Sequence, residues 1–194
     1  NFDEEEKKIM QINQSDKIFL RGLAQQVADI VATPDNIRLQ EMWKRHNRLE
    51  NVRPMILCWP EGSWCELIPE GSLQCSADIG RYYEMELRQR LYWWNRLQDD
   101  TFLADTIHVP LAFTNSGWGI LPGRVKSTSE RGSFAYDPPI KKPEDWVRMK
   151  PPKIEIDEEE SQHRLEVVRD IFGDIMDVKL DRHIWGIQVD TNLV

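Results

Sequence analysis

The run Arg53-Pro54-Met55-Ile56-Leu57-Cys58-Trp59-Pro60-Glu61-Gly62-Ser63-Trp64 constrains the fold more than any other stretch of this chain. Its apolar residues lie between two prolines and predict a short strand over 55–59, buried on both faces as in a parallel sheet. α/β folds place their sites in loops at the carboxyl ends of such strands. The loop that follows is aromatic and acidic, carrying Trp59, Glu61, Trp64 and Glu66.

The rest of the chain alternates helical and extended patterns. Residues 1–14 are polar and acidic and predict an extended arm or a frayed helix. Ser15 or Asp16 is expected to cap a first helix, with Ile18, Leu20, Leu23, Val27, Ile30 and Val31 near helical spacing. Pro34 opens a second helix over about 35–49, turning Leu39, Met42, Trp43 and Leu49 towards a core. Ser76 or Asp78 caps a third, whose buried face runs Ile79, Tyr83, Leu87, Leu91, Trp94, Leu97, and Asp99-Asp100 ends it. Residues 101–109 predict a second strand closed by Pro110. The Gly-, Pro-, Ser- and Thr-rich stretch 111–140 predicts a loop or small hairpin, and 143–149 one helical turn. The acids at 157–160 suit a helix N-terminus, continued by Leu165, Val168 and Phe172 and capped by Gly173. A third strand follows at 178–180. Strands alternating with helices imply a parallel sheet.

Composition excludes several classes. A formal net charge of −8 argues against a large nucleic-acid footprint, which needs a basic face. No apolar run reaches the roughly 18–20 residues of a membrane span. Three widely spaced cysteines, Cys58, Cys65 and Cys75, fit buried or half-buried thiols in a reducing cytoplasm better than a disulfide framework or a zinc site. Residue 1 is Asn, which implies a processed or cropped start. No phosphate-binding loop, nucleophile elbow or His-Glu-x-x-His motif is present. Gly117-Trp118-Gly119 reads as a tight reversal rather than a phosphate cradle.

The candidate chemistry sits at two places. Glu61 and Glu66 flank Trp64, and either one suits a general acid–base role or a hold on a cationic ligand; solvated carboxylates are the plain alternative. Asp105 and His108 lie near the end of the second strand. Three residues apart, they point to opposite faces, so only one of them faces an interior.

Taken together, "HNRLENVRPMILCWPEGSW", "LRQRLYWWNRLQDD" and "DTIHVPLAFTNSGWG" resemble the uroporphyrinogen decarboxylase superfamily, closest to its corrinoid-methyltransferase-like members of anaerobic bacteria. The likeness runs from about residue 20 to the last residue. It implies the amino-terminal part of a TIM-type (β/α)8 barrel: an N-terminal helical extension over 1–50, then a partial barrel over 51–194 that stops inside the barrel. The decarboxylases carry arginines in the loop after strand one, for the carboxylates of the porphyrinogen. Here that loop has none and carries two acids, which repel a polycarboxylate.

The resemblance therefore implies that the full-length enzyme transfers a methyl group between a small methylated substrate or thiol and a corrinoid carrier. Trp59, Trp64 and Trp118 would wall the pocket, and Glu61 or His108 would orient the substrate. The alternatives are decarboxylation, with Asp105 steadying pyrrole nitrogens, and a non-catalytic binding protein. Corrinoid and zinc are cofactors of the whole protein under this reading, and no zinc ligands are recognised in this chain. The expected partners are a small-molecule substrate, a corrinoid protein, and the missing carboxyl-terminal half or a second copy. Nucleic acid and membrane are not expected.

Overall fold

A computed structural model describes residues 12–128 and 132–183. Most of the acidic arm at 1–14 and the chain end at 184–194 fall outside them. The chain divides into two compact units, Asn1–Val109 with His163–Lys179 and Pro110–Gln162 with Leu180–Val194. The first unit thus joins residues on both sides of position 50.

In the first unit, α1 (Gln14–Val31) buries Leu20, Ala24 and Val27 on one stripe. Its N-cap is Asn13, whose side-chain oxygen accepts from the Asp16 amide at 2.8 Å. Asp16, one of the two expected caps, serves another helix. Its buried carboxylate accepts the Ser76 amide at 2.8 Å, the Ser76 hydroxyl at 2.9 Å and the Ala77 amide at 3.4 Å. Those residues open α3 (Asp78–Tyr92), whose own N-cap, Ala77, has no capping side chain. Neither Ser76 nor Asp78 caps α3; α1 does so in trans.

Between them lies α2 (Pro34–Asn47), capped by Thr33 with Pro34 in its first turn, as the sequence predicts. It buries Leu39 and Asn36. The Asn36 amide group donates to the Leu103 carbonyl at 2.9 Å and accepts the Leu103 amide at 2.7 Å, fixing the stretch that leads to Thr106. Leu49 faces solvent at 93% exposure, since the helix has ended before it. The fully buried Glu84 of α3 accepts the Gln74 and Cys75 amides at 2.8–2.9 Å and pairs with Arg88.

The strand predicted over 101–109 is shorter: β1 is Thr106–Pro110, with Ile107 and Val109 buried and His108 and Pro110 exposed. It shares a two-stranded sheet with β6 (Asp177–Asp181), the strand expected at 178–180. The helix before β6, α4 (Glu158–Phe172), buries Leu165, Val168, Ile171 and Phe172, and the Phe172 ring meets Tyr83 edge-on at 5.6 Å. Lys17–Asp170 and Arg21–Asp174 ion pairs, both 2.7 Å, tie α1 to this end of the chain. At Gly173 a Cβ would lie 2.7 Å from the Arg169 carbonyl oxygen, so the close approach there requires glycine.

The predicted buried strand at 55–59 is absent. The segment pairs with no strand and is exposed: Ile56 66%, Leu57 52% and Trp59 69%. Its backbone is extended nonetheless, because alternate residues bond to the same neighbouring turn. Ile56 donates to the Asp100 carboxylate at 2.8 Å and accepts the Asp100 amide at 2.9 Å, and Cys58 donates to the Asp99 carboxylate at 2.6 Å. Two aspartates stand where a neighbouring strand was expected.

The second unit contains two strand pairs, both antiparallel. β2 (Ala112–Asn115) runs against β5 (Ile154–Asp157) from Ala112↔Asp157 to Asn115↔Ile154, and β3 (Gly123–Val125) runs against β4 (Ala135–Asp137). The excursion after Pro110 therefore holds the small hairpin β3–β4 plus a strand, β2, that composition alone conceals. The turn at 143–149 is a 3-10 helix, Pro143–Arg148. Asp157 begins α4, accepting the Glu160 amide at 2.9 Å, and Ser161 accepts the Ala112 amide at 2.9 Å. Among the described residues the strands form three two-stranded sheets in a mixed α/β chain, with no closed barrel. No described helix is long and apolar enough to cross a membrane.

Candidate functional site

An aromatic cluster of the first unit forms where the 53–59 segment meets the end of α3. That helix does not stop as an α-helix. Its last turn widens into a π turn, Trp93–Leu97, closed by Gln98 in the left-handed region at φ 51°. The widening lets Trp93 sit between Trp59 and Trp64, with ring centroids at 5.3 and 4.9 Å; Trp64 in turn meets Tyr92 edge-on at 5.8 Å.

Two indoles are locked by their N–H groups. Trp93 Nε1 donates to the Cys58 carbonyl at 2.9 Å, and Trp43 Nε1 donates to the Asp100 carbonyl at 2.6 Å. With these donors committed to backbone, neither indole N–H is left to bond a ligand. Both rings wall a cleft of about 470 Å³ together with Leu57, Trp59, Phe102 and Leu103. That lies within the roughly 300–1,000 Å³ range of small-molecule sites.

The charges at this cleft are already paired. Arg90 lines it, but its guanidinium pairs with Glu86 and donates to the Thr106 and Ala104 carbonyls at 2.8 and 3.2 Å. Asp100 is buried and receives both terminal nitrogens of Arg53. The Arg53 guanidinium, aided by the Ile56 amide and against the effect of burial, holds the Asp100 carboxyl at about 2.

The residues predicted from sequence are partly brought together. Trp59 and Trp64 share the Trp93 stack, and Trp59 lines the cleft. Glu61 is exposed in the 3-10 turn Glu61–Ser63 with φ 45°, an unusual conformation for a side-chain-bearing residue. Asp105 and His108 are both exposed and line none of the described clefts, so the expected division of one inward and one outward is not seen. Trp118 belongs to the second unit, packed with Met149 against Ile120 and Ile140.

Sequence reasoning missed Trp93, Phe102 and Arg90 and assigned Trp43 to the core. The available signal was Trp93-Trp94 at the end of a helix whose apolar period had run its length. Of the thiols, Cys58 and Cys65 are exposed. Cys75 is buried, and burial together with Glu84 pushes it up to about 12. Among the described residues no group of three or more His, Cys, Asp or Glu side chains is placed to hold a metal ion. No family model, curated protein or solved structure matches the chain.

Proposed function

We propose that this chain is the amino-terminal part of a uroporphyrinogen decarboxylase-like (β/α) barrel protein whose full-length form transfers a methyl group between a small methylated substrate or thiol and a corrinoid carrier. The observation that carries the reading is the cleft of Trp43, Trp59 and Trp93, in which the one lining guanidinium, Arg90, is neutralised by Glu86 and held by two carbonyls. A porphyrinogen polycarboxylate needs uncommitted cations, whereas a small, weakly charged methyl donor needs apolar and π contact. β1 and β6 share one sheet, and the chain between them passes through β2 to β5 and then α4, the helix that leads into β6.

In this reading the aromatic walls hold the apolar part of the substrate and exclude water, while Glu61, at the rim of the turn after Trp59, orients a polar or cationic end. The corrinoid supplies the methyl-accepting centre when its carrier is bound. No step is assigned to zinc, since the described residues offer no ligand set for it.

The test is an assay of the full-length protein with methylcobalamin and a panel of thiols, alongside uroporphyrinogen. Thiol methylation that falls about tenfold or more in Trp59→Ala supports the reading. Coproporphyrinogen formation without any demethylation of methylcobalamin rejects it in favour of decarboxylation.

A further inference from the structure

The cleft of Trp43, Trp59 and Trp93 restricts its ligand by what its walls leave uncommitted. Trp59 and Phe102 line it while 69% and 38% exposed, and Leu57 lines it while 52% exposed, so large apolar and π surface stands open to solvent in one place. Among the described residues no carboxylate lines the cleft, and its guanidinium, Arg90, is committed to Glu86 and to the Ala104 and Thr106 carbonyls. A charge entering with a ligand would lose water and find no free counter-charge.

The polar side chains of the walls narrow the choice further. The Trp43 and Trp93 indoles donate to backbone carbonyls. The Trp59 indole N–H and the Thr101 hydroxyl have no partner among the described residues. On so exposed a ring the Trp59 N–H is met by water. Thr101 is half-buried, and its amide donates to Asp99 Oδ1 at 2.9 Å, one residue after the Asp100 carbonyl that holds Trp43. Its hydroxyl can donate and accept alike.

We propose that the cleft takes a flat, uncharged aromatic ring bearing one hydrogen-bonding substituent, and that the Thr101 hydroxyl meets that substituent and sets specificity. The inference rests on reading this cleft as the substrate site, and it names the chemical class of the part of the ligand held there. Offset or edge-on contact with the indoles favours a π ring over a saturated ring of the same size. A neutral substituent satisfies the hydroxyl without bringing charge between the walls. Glu61 is not among the residues lining this cleft, so a polar or cationic end that reaches Glu61 lies outside the aromatic walls.

NMR titration of the full-length protein with benzamide, benzoate, cyclohexanecarboxamide and toluene tests the proposal, with no corrinoid present. Benzamide is expected to bind about tenfold or more tightly than benzoate, and about threefold or more tightly than cyclohexanecarboxamide. Thr101→Val keeps the shape of the side chain and removes the hydroxyl. It should weaken benzamide by about three- to tenfold and leave toluene unchanged within about twofold. Phe102→Ala should weaken benzamide and toluene alike, by about threefold or more. Benzoate or cyclohexanecarboxamide binding as tightly as benzamide overturns the proposal, as does no binding of any probe. So does a Thr101→Val variant that weakens benzamide and toluene equally or weakens neither. Indifference of both to Phe102→Ala places the probes elsewhere and also overturns it. A protein that ranks the probes as expected yet demethylates no methylcobalamin refutes the methyl-transfer reading alone.

Discussion

Arg53 Nη1 donates to Asp100 Oδ2 at 2.6 Å across 47 residues of sequence, and the same carboxylate receives the Ile56 amide at 2.8 Å. One buried acid thus fastens the 53–59 segment to the end of α3. The Asp100 carbonyl meanwhile holds the Trp43 indole, so the latch and the cleft wall share a residue.

Asp100→Asn should loosen this segment. The expected cost is about 1–2 kcal/mol in urea unfolding, with tryptophan emission shifting to the red before global unfolding. The sign of the pH dependence follows from the lowered pKa. Asp100 titrates at about 2 when folded against 3.8 for the free group, so the unfolded chain binds its proton first on acidification. Its stabilisation is complete above about pH 4 and disappears as pH falls towards 2. Stability measured against pH should therefore fall less steeply in that window for Asp100→Asn than for the wild type. Equal slopes would show that Asp100 is not paired as described.

Asp16→Ala should behave as a cap deletion on a helix to which Asp16 does not belong. Burial pushes the Asp16 carboxyl up, and the hydrogen bonds from Ser76 and Ala77 outweigh it and hold the carboxyl below its ordinary range. The predicted loss is about 1–2 kcal/mol, read by chemical denaturation. Amide exchange should rise at Ser76 and Ala77 and not in the first turn of α1, which Asn13 caps. Exchange rising in α1 instead would contradict the assignment.

The three thiols should separate by reactivity. At pH 8, Ellman's reagent should label Cys58 and Cys65 promptly, both being exposed, whereas Cys75 reacts only on unfolding. A rapid third equivalent in the native protein would show that Cys75 is not enclosed with Glu84.

The helices were legible because their signals are local. Pro34, the period that includes Leu20 and Val27, the acids at the start of α4 and the stop after Leu97 all act within a few residues. The candidate site was legible only in part. Trp59 and Trp64 stand out in the sequence, but their partner Trp93 reaches them through a π turn that no residue pattern announces. The segment at 55–59 has the composition of a buried strand, yet its occupied edge is satisfied by the carboxylates and backbone of Asp99 and Asp100. A short apolar run does not reveal which groups will take its hydrogen bonds. Asp16 was misplaced for a similar reason: a residue with capping chemistry near a helix start is equally able to cap a neighbouring helix 60 residues away in sequence.

The widened turn at Trp93–Leu97 makes the cleft sensitive to chain length rather than to side-chain identity. A π turn holds an extra residue relative to the α-helix around it. Deleting a single residue between Trp94 and Leu97 would let α3 finish as a regular helix, turning the following residues by about 100°. Every side chain of the cleft would remain in the sequence, yet Asp99 and Asp100 would no longer meet Cys58 and Ile56. At this corner, insertions and deletions of one residue are the changes to which related sequences should be least tolerant.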